Sequence, residues 1–139
     1  MSYSAFQFSR PLLTKAHFEM NSPQDEINKD VSVHLNRNII KFEGENKAIV
    51  ELGVELNQRN GEVKENALFV AQVVMQSVFS WDDSLQEEQV TTFLEYNASA
   101  LLLSYIRPIV STITAPSPAG QYDIPFINMV ELFKNAQTK

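Results

Sequence analysis

The hydrophobic periodicity of the chain changes once, near residue 83, from a repeat of two to a helical repeat of about 3.6 residues. Before that point, residues 48–56 alternate strictly, with apolar side chains on one face and Glu51 and Glu55 on the other. This alternation is typical of a half-buried β-strand. The same pattern, weaker in places, predicts four strands, at residues 12–20, 31–42, 48–56 and 67–81.

Two polar segments separate these strands. Asn60-Gly61 is a strong signal for a tight turn, because both residues adopt positive φ angles readily. We predict that this turn joins the last two strands. Residues 21–30 combine Pro, Asn, Asp and Ser with little to bury, and they predict a polar loop between the first two strands.

The second half of the chain has the pattern of two helices. Ser84 followed by Glu87 predicts a capping box at the start of a long helix. Pro108 lacks a backbone N–H, so we expect it to kink or divide that helix. Residues 115–125 are rich in helix breakers, and a short amphipathic helix is predicted at 126–136.

The order of these elements predicts the fold class. Strands followed by helices indicate an α+β protein, in which helices cover one face of an antiparallel sheet. We therefore expect a four-stranded antiparallel sheet with one long kinked helix and one short C-terminal helix packed on one face. The length of 139 residues fits a single domain that spans residues 1–139.

The longest apolar run, residues 98–115, is better suited to a protein core than to a membrane. Arg107 and Pro108 lie near its middle, and a membrane span seldom places a charge there. Residues 1–13 lack the basic and apolar regions of a signal peptide, and the chain contains no cysteine. We expect a cytoplasmic protein without membrane insertion.

The charges and motifs exclude several classes of function. A net charge of −6 disfavours nucleic acid as a partner, since nucleic-acid binders carry a basic surface. The histidines, His17 and His34, have no metal-ligand spacing, and the chain has neither a phosphate loop nor a nucleophile elbow. The sequence therefore predicts neither an enzyme nor a cofactor.

Two predicted elements carry more apolar surface than a monomer needs. The helical segment 98–115 and the strand 67–81 both have apolar side chains on more than one face. A small α+β domain covers only one side of its sheet. The surplus predicts a homo-oligomer, a groove for a partner, or both.

Several short patterns resemble the SecB family of bacterial export chaperones. Residues 78–80, Val-Phe-Ser, are similar to the end of the family's fourth strand, and Tyr105-x-Arg107 is similar to a pattern in its long helix. The order and spacing of the family's motifs are kept from about residue 12 to residue 136. The chain thus resembles a divergent member of the family, such as the small Gram-positive SecB-like proteins. Further matches are Lys15, Phe18, Glu19, Tyr96, Leu102, Asn128, Leu132 and Phe133.

The resemblance implies a dimer or a dimer of dimers, assembled through sheet edges and the long helix. It also implies a holdase chaperone that works without ATP and binds non-native polypeptides in apolar grooves, through many weak contacts. Each candidate groove side chain is equally suited to core packing. These candidates flank the 21–30 loop and the second helix, and they are Met20, Ile27, Phe126, Met129 and Phe133.

Binding to the translocase motor is a further family property that the resemblance implies. The family uses acidic residues on the sheet surface, and Glu19 matches one of them. Ala16 and Gln72 stand at the other matching positions, which argues against motor binding. The first interstrand loop, which lines the groove in the family, offers only Met20 and Ile27 as large apolar side chains.

A second hypothesis belongs to a different class of protein. The same scaffold would serve as an adaptor or ligand-binding domain with one dedicated partner, either a folded protein or a small apolar molecule. The polar loop 21–30 favours the adaptor, whereas the strand and helix patterns favour the chaperone.

Overall fold

The computed structural model of the chain describes residues 4–21 and 29–137. Its strands are β1 (Phe6–Phe8), β2 (Leu12–Met20), β3 (Val33–Lys41), β4 (Lys47–Leu56), β5 (Gln58–Arg59), β6 (Glu62–Val63) and β7 (Phe69–Trp81). Its helices are α1 (Glu87–Thr92), α2 (Ala98–Thr114) and α3 (Met129–Gln137), and a π-helical turn, Phe93–Asn97, joins α1 to α2.

The main sheet is antiparallel throughout. Its order is β3–β4–β7, and the second edge of β7 is shared by β2 and β1. The four predicted strands are confirmed as β2, β3, β4 and β7. The additional strand β1 has only three residues, too few for alternation to be recognised in the sequence.

One face of the sheet carries the core, as the predicted fold class requires. On β4 the alternate residues from Ala48 to Leu56 are buried, and on β7 the odd-numbered positions face the same way. Helix α2 packs across both strands and buries Leu102, Ile106 and Val110. Because all three residues follow helical spacing, a single stripe of α2 covers the sheet.

The Asn60-Gly61 turn is confirmed, but it does not join β4 to β7 directly. Asn60 and Gly61 have φ angles of 52° and 82° and close the short hairpin of β5 and β6. The Glu55 carboxylate, which is 2% exposed, accepts hydrogen bonds from the backbone N–H groups of both turn residues, at 3.0 and 3.3 Å. It also accepts one from Asn36 Nδ2 at 3.1 Å. This carboxylate therefore fixes the hairpin against the sheet.

We expect Glu55→Gln to lower the free energy of unfolding by about 1–2 kcal/mol, because one acceptor oxygen becomes an amide donor that faces the turn N–H groups. Amide hydrogen exchange would speed up first at Asn60 and Gly61. Glu51→Gln is the matched control, since Glu51 lies four residues earlier on the same strand face and is only half-buried. An equal effect of both substitutions would contradict this role of Glu55.

The predicted capping box at Ser84 and Glu87 is wrong. Helix α1 begins at Glu87, its N-cap residue is Gln86, and the Gln86 backbone N–H donates to Gln89 Oε1 at 3.0 Å. Ser84 lies in the turn before the helix. The box is thus formed two residues later, with glutamine side chains in place of serine and glutamate.

Pro108 does not divide the long helix, because α2 runs through it from Ala98 to Thr114. Its missing N–H leaves the Ser104 carbonyl without a helical partner, and both residues are exposed. The irregularity lies earlier, in the π-helical turn, where the Ala98 N–H donates to Phe93 O. Within residues 4–21 and 29–137, no helix is long and apolar enough to cross a membrane.

Candidate functional site

A cleft of about 360 Å³ opens at the end of the sheet where β4 ends and β7 begins. Three segments of the chain form its walls: the approach to β3, the connection between β4 and β7, and the loop after α2. Apolar side chains line much of it, with a few polar groups between them, which is the usual composition of a ligand site. The walls include Val31, Asn57, Leu68, Phe69, Ala119 and Tyr122.

Asn57 fixes one wall of this cleft. It follows β4 directly, is 1% exposed, and has a left-handed φ angle of 59°. Its side chain donates from Nδ2 to Phe69 O at 2.9 Å and accepts at Oδ1 from Ser32 N at 3.1 Å. Its backbone N–H donates to Ser32 O at 2.9 Å, and its carbonyl accepts from Lys64 N at 2.8 Å. One residue therefore joins the starts of β3 and β7 to the end of β4.

The opposite wall is a loop that hydrogen bonds fasten to the end of α2. Thr114 is fully buried, and its hydroxyl donates to Val110 O and accepts from Tyr122 N, both at 2.8 Å. Further along, Ser111 Oγ donates to Asp123 Oδ1 at 2.6 Å. This hydrogen bond lowers the pKa of Asp123, and a second one from Gln121 acts in the same direction. These hydrogen bonds fasten the loop to the end of α2.

The described residues on either side of the β2–β3 connection, Asn21 and Lys29, both lie at this cleft. Asn21 donates from its backbone to Leu68 O at 2.8 Å and from Nδ2 to Ala67 O at 3.0 Å. After residues 22–28, which lie outside the described part, Lys29 and Val31 line the cleft. The loop that the family resemblance assigns to groove lining therefore has both its ends at this site.

The five candidate groove residues lie in different places. Met20 is half-buried and pairs with Phe69, so it adjoins the cleft, whereas Ile27 lies outside the described residues. Phe126 is 92% exposed. Met129 and Phe133 are buried in the chain's own core, which is the alternative noted for them above. Their role in binding stays a prediction.

Two arginines hold the C-terminal aromatic residues. The Arg37 guanidinium carbon lies 4.0 Å from the ring centroid of Phe133, and its Nη1 donates to the Glu95 carbonyl. Burial lowers the pKa of Arg37. The nearby charges of Glu95 and Tyr96 act in the opposite direction and offset part of this shift. These contacts place α3 beside β3 and the π-helical turn. Partial desolvation of the guanidinium strengthens its cation–π attraction to the ring.

The other arginine acts in the same way on the segment before α3. Arg107 donates from Nε to Ile124 O at 2.8 Å, and its guanidinium carbon lies 4.7 Å from the ring centroid of Phe126. The phenyl ring of Phe126 lies outside the core, against this charged neighbour.

The residues considered for motor binding lie on two faces of the sheet. Glu19 is exposed on the face without helices, where its Oε2 lies 3.5 Å from His17 Nε2. Gln72 pairs with His17 on that face. Ala16 pairs with the buried Val73, so it faces the helices instead, because a bulge between Leu13 and Lys15 shifts the register of β2.

Tyr122 is a site residue that the sequence did not indicate. Its burial in the cleft wall raises its pKa above the ordinary value of 10.0, because ionisation would place a charge in an apolar setting.

A raised folded-state pKa contributes stability that is present below pH 10 and is lost as pH rises through the folded pKa. We expect wild type to lose more stability than Tyr122→Phe above pH 10, and the two to differ by a constant amount at pH 6–9. Urea unfolding at stepped pH would test this, and parallel curves throughout would contradict it.

The chain matches the model of a known protein family, the preprotein translocase subunit SecB, over residues 7–139. The chain belongs to the SecB family. The resemblance stated from the sequence is thereby confirmed, and membership supports a holdase chaperone role. No curated protein matches the chain by sequence.

Two solved structures align with most of the chain. The SecB-like chaperone Rv1957 of Mycobacterium tuberculosis, in complex with a ChAD peptide from the Rv1956 HigA1 antitoxin, aligns with a TM-score of 0.68 and 13% identity. The alignment covers 88% of this chain and 91% of that chain. A Streptococcus agalactiae protein of unknown function aligns with a TM-score of 0.48 and 11% identity, over 87% of this chain and 97% of the other. The first of these confirms the SecB-like fold.

Proposed function

We propose that this member of the SecB family is a cytoplasmic, ATP-independent holdase that binds non-native polypeptides, with apolar client side chains entering the cleft beside Asn57. The observation that carries this proposal is the cleft itself. Val31, Leu68, Phe69 and Ala119 offer apolar contacts, and the flanking segment 21–30 starts and ends there. Such a role needs no catalytic group.

The size of the cleft fits side chains rather than whole molecules. About 360 Å³ accommodates one or two large apolar side chains. Burial of a Leu or Phe side chain contributes about 1.5–3 kcal/mol, which gives only weak binding at each site. Several sites on one oligomer would add their effects through high effective concentration, and clients would still dissociate quickly from each site.

The Mycobacterium tuberculosis relative supports a polypeptide as the ligand class, since its structure contains a peptide from an antitoxin. That ligand belongs to the relative. For this chain, the cleft walls and the family membership point to the same class, and the identity of the client is left to experiment.

A homo-oligomer, either a dimer or a dimer of dimers, is part of this proposal. The sheet edge formed by β1 and β2 carries the exposed apolar side chains of Phe8, Leu12 and Leu13. Tyr105 of α2 is also exposed, and its ring lies edge-on to Phe8 with centroids 6.5 Å apart. Such a cluster beside a free sheet edge is typical of a subunit interface.

Binding to the translocase motor is the weaker part of the family expectation. Glu19 is the one matched acid, and its Oε2 lies 3.5 Å from His17 Nε2. Gln72 provides no charge on this face, and Ala16 faces the helices. We therefore propose that motor binding is weak or absent, and that clients reach this chaperone by another route.

An adaptor with one dedicated partner is the alternative, and the polar composition of residues 21–30 favours it. The two functions differ in promiscuity. A holdase binds many unfolded chains through apolar side chains, whereas an adaptor binds one partner and ignores unfolded chains.

Affinity for a permanently unfolded protein tests the proposed site. We expect Ala119→Asp to weaken binding of reduced, carboxymethylated α-lactalbumin about tenfold or more, because it places a carboxylate in the apolar cleft. Ala115→Asp is the matched control, since Ala115 is exposed on the same connection and outside the cleft lining. Fluorescence anisotropy measures both affinities, and circular dichroism checks folding. Equal affinities of the two variants would reject the cleft as the client site.

A further inference from the structure

The turn that closes the β5–β6 hairpin holds the only Asn-Gly pair in the sequence, Asn60-Gly61. Both residues are exposed, and a Cβ added to Gly61 would meet no atom beyond its chain neighbours within 4 Å. Gly61 therefore puts no side chain of its own in the way of its backbone nitrogen. The proposed holdase function gives this pair no role other than the turn itself.

An asparagine followed by glycine modifies itself in water without a catalyst, because glycine lacks the Cβ that would hinder the approach of the two groups. The Gly61 nitrogen bonds to Cγ of Asn60, the Cγ–Nδ2 bond breaks, and ammonia leaves with the proton of the Gly61 N–H. Water then opens the resulting five-membered succinimide. Addition at Cγ gives aspartate, whereas addition at the backbone carbonyl carbon gives isoaspartate, in which the main chain runs through Cβ. Water is the only co-reactant, and no group is oxidised or reduced.

The Glu55 carboxylate opposes this reaction in the closed hairpin. Its Oε2 accepts a hydrogen bond from the Gly61 N–H at 3.3 Å, and its Oε1 accepts one from the Asn60 N–H at 3.0 Å. A carboxylate is far too weak a base to remove an amide proton, so these bonds retain the proton that the reaction must release. They also fix the nitrogen in the turn. Attack on Cγ therefore requires local opening of the hairpin, which breaks both bonds.

We propose that Asn60 is a site of spontaneous conversion to isoaspartate, that the Glu55 carboxylate limits its rate, and that the product releases the β5–β6 hairpin. The closed turn has two residues with φ angles of 52° and 82°, the geometry that Asn-Gly turns favour. Isoaspartate adds one carbon to the main chain of this turn, so the two N–H groups no longer match the Glu55 oxygens. It also adds a carboxylate to the turn that Glu55 holds, and like charges at short range repel each other.

Release of the hairpin would reach the cleft beside Asn57. The Lys64 N–H, directly after β6, donates to Asn57 O at 2.8 Å, and Gln58 Nε2 of β5 donates to Ala71 O at 3.4 Å. Both bonds join the base of the hairpin to the wall of the cleft. A modified chain would thus lose client affinity with age. This last consequence rests on the proposed function, whereas the modification and the release do not.

Ageing of the purified full chain at neutral pH, followed by peptide mapping with mass spectrometry, measures the modification. Protein isoaspartyl methyltransferase distinguishes isoaspartate from aspartate, because it methylates only the former. We expect isoaspartate to accumulate at Asn60 at least tenfold faster than at Asn66, which also has a left-handed φ, 59°, but is followed by alanine. In the full chain unfolded in urea, the rate at Asn60 should be at least tenfold higher than in the folded protein.

Glu55→Gln should speed the modification of the folded protein about tenfold, because it weakens the bonds that keep the hairpin closed. Glu51→Gln is the matched control and should leave the rate unchanged, since Glu51 lies on the same strand face and is only half-buried. The modified fraction, separated by its additional negative charge, should show faster amide hydrogen exchange at Gly61 and Lys64. Asn60→Gly accepts the same φ angle and removes the reactive side chain, so an aged sample of this variant should show neither change.

Four results would overturn the proposal. Equal rates at Asn60 and Asn66, or no isoaspartate at either, would remove the role of the Asn-Gly pair. Equal rates in Glu55→Gln and Glu51→Gln would remove the role of the carboxylate. A rise at both asparagines together in Glu55→Gln would indicate general unfolding rather than opening of the hairpin. Unchanged hydrogen exchange in the hairpin of the modified fraction would show that the product does not release it.

Discussion

Asn57→Ala should lower the free energy of unfolding by about 3 kcal/mol or more, the largest effect we expect from any polar substitution in the described structure. The substitution leaves the Ser32 N–H and the Phe69 carbonyl without their side-chain partners, at about 1–3 kcal/mol each for buried groups. It also places alanine at a φ of 59°, which costs roughly 1–2 kcal/mol. Urea unfolding followed by circular dichroism measures the change.

Asn66→Ala separates the two causes. Asn66 has the same φ of 59° but makes no side-chain hydrogen bond within the described ranges, so this variant loses only the conformational term, about 1 kcal/mol. If both substitutions cost the same, the hydrogen bonds of Asn57 contribute nothing and the account of the cleft wall is wrong. A larger loss in Asn57→Ala would also predict weaker client binding, because the same bonds shape the cleft.

Phe79→Ala should cost about 3–5 kcal/mol, as truncation of a fully buried aromatic residue leaves a cavity. The Phe79 ring lies between two others, Phe93 edge-on at 5.9 Å and Phe8 tilted at 6.1 Å, so its loss removes support from the β1 end of the sheet. Thermal and urea unfolding would both report the effect. The stacked pair of Phe6 and Phe93 should loosen at the same time.

Phe126→Ala is the matched control, because it removes the same ring from a residue that is 92% exposed. We expect a change of no more than about 0.5 kcal/mol. This variant also tests the sequence-based groove prediction for Phe126. Weaker binding of unfolded protein at unchanged stability would confirm that prediction, and unchanged binding would limit the site to the cleft beside Asn57.

The fold was predictable from the sequence because its periodicity is strong. In β4, more buried and less buried residues alternate from Lys47 to Leu52. The apolar residues of the sequence alternate with the same period of two, so the strand could be predicted from them. The long helix was likewise predictable from its apolar stripe. The errors lie where local signals compete: Gln86 and Gln89 form the capping box in place of Ser84 and Glu87, since a glutamine side chain can fill the same geometric role.

The site was harder to predict than the fold, because long-range pairing creates it. The cleft joins residues near positions 31, 57, 68 and 119, and no local pattern links them. Asn57 belongs to no motif that points to the other walls of the cleft, although an asparagine directly after a strand and before an Asn-Gly turn is a signal for a left-handed conformation. The groove candidates Met129 and Phe133 had the right chemistry, but helical spacing alone does not tell a core face from a binding face.

Retardation of refolding tests the central claim most directly. A slow-folding model protein would be refolded without nucleotide in the presence of equimolar subunits of wild type, Ala119→Asp or Ala115→Asp, and its fluorescence followed over time. The account predicts slower refolding with wild type and Ala115→Asp, and nearly unaltered refolding with Ala119→Asp. Unaltered refolding in the presence of well-folded wild-type protein would contradict a holdase function and would favour an adaptor with a single partner.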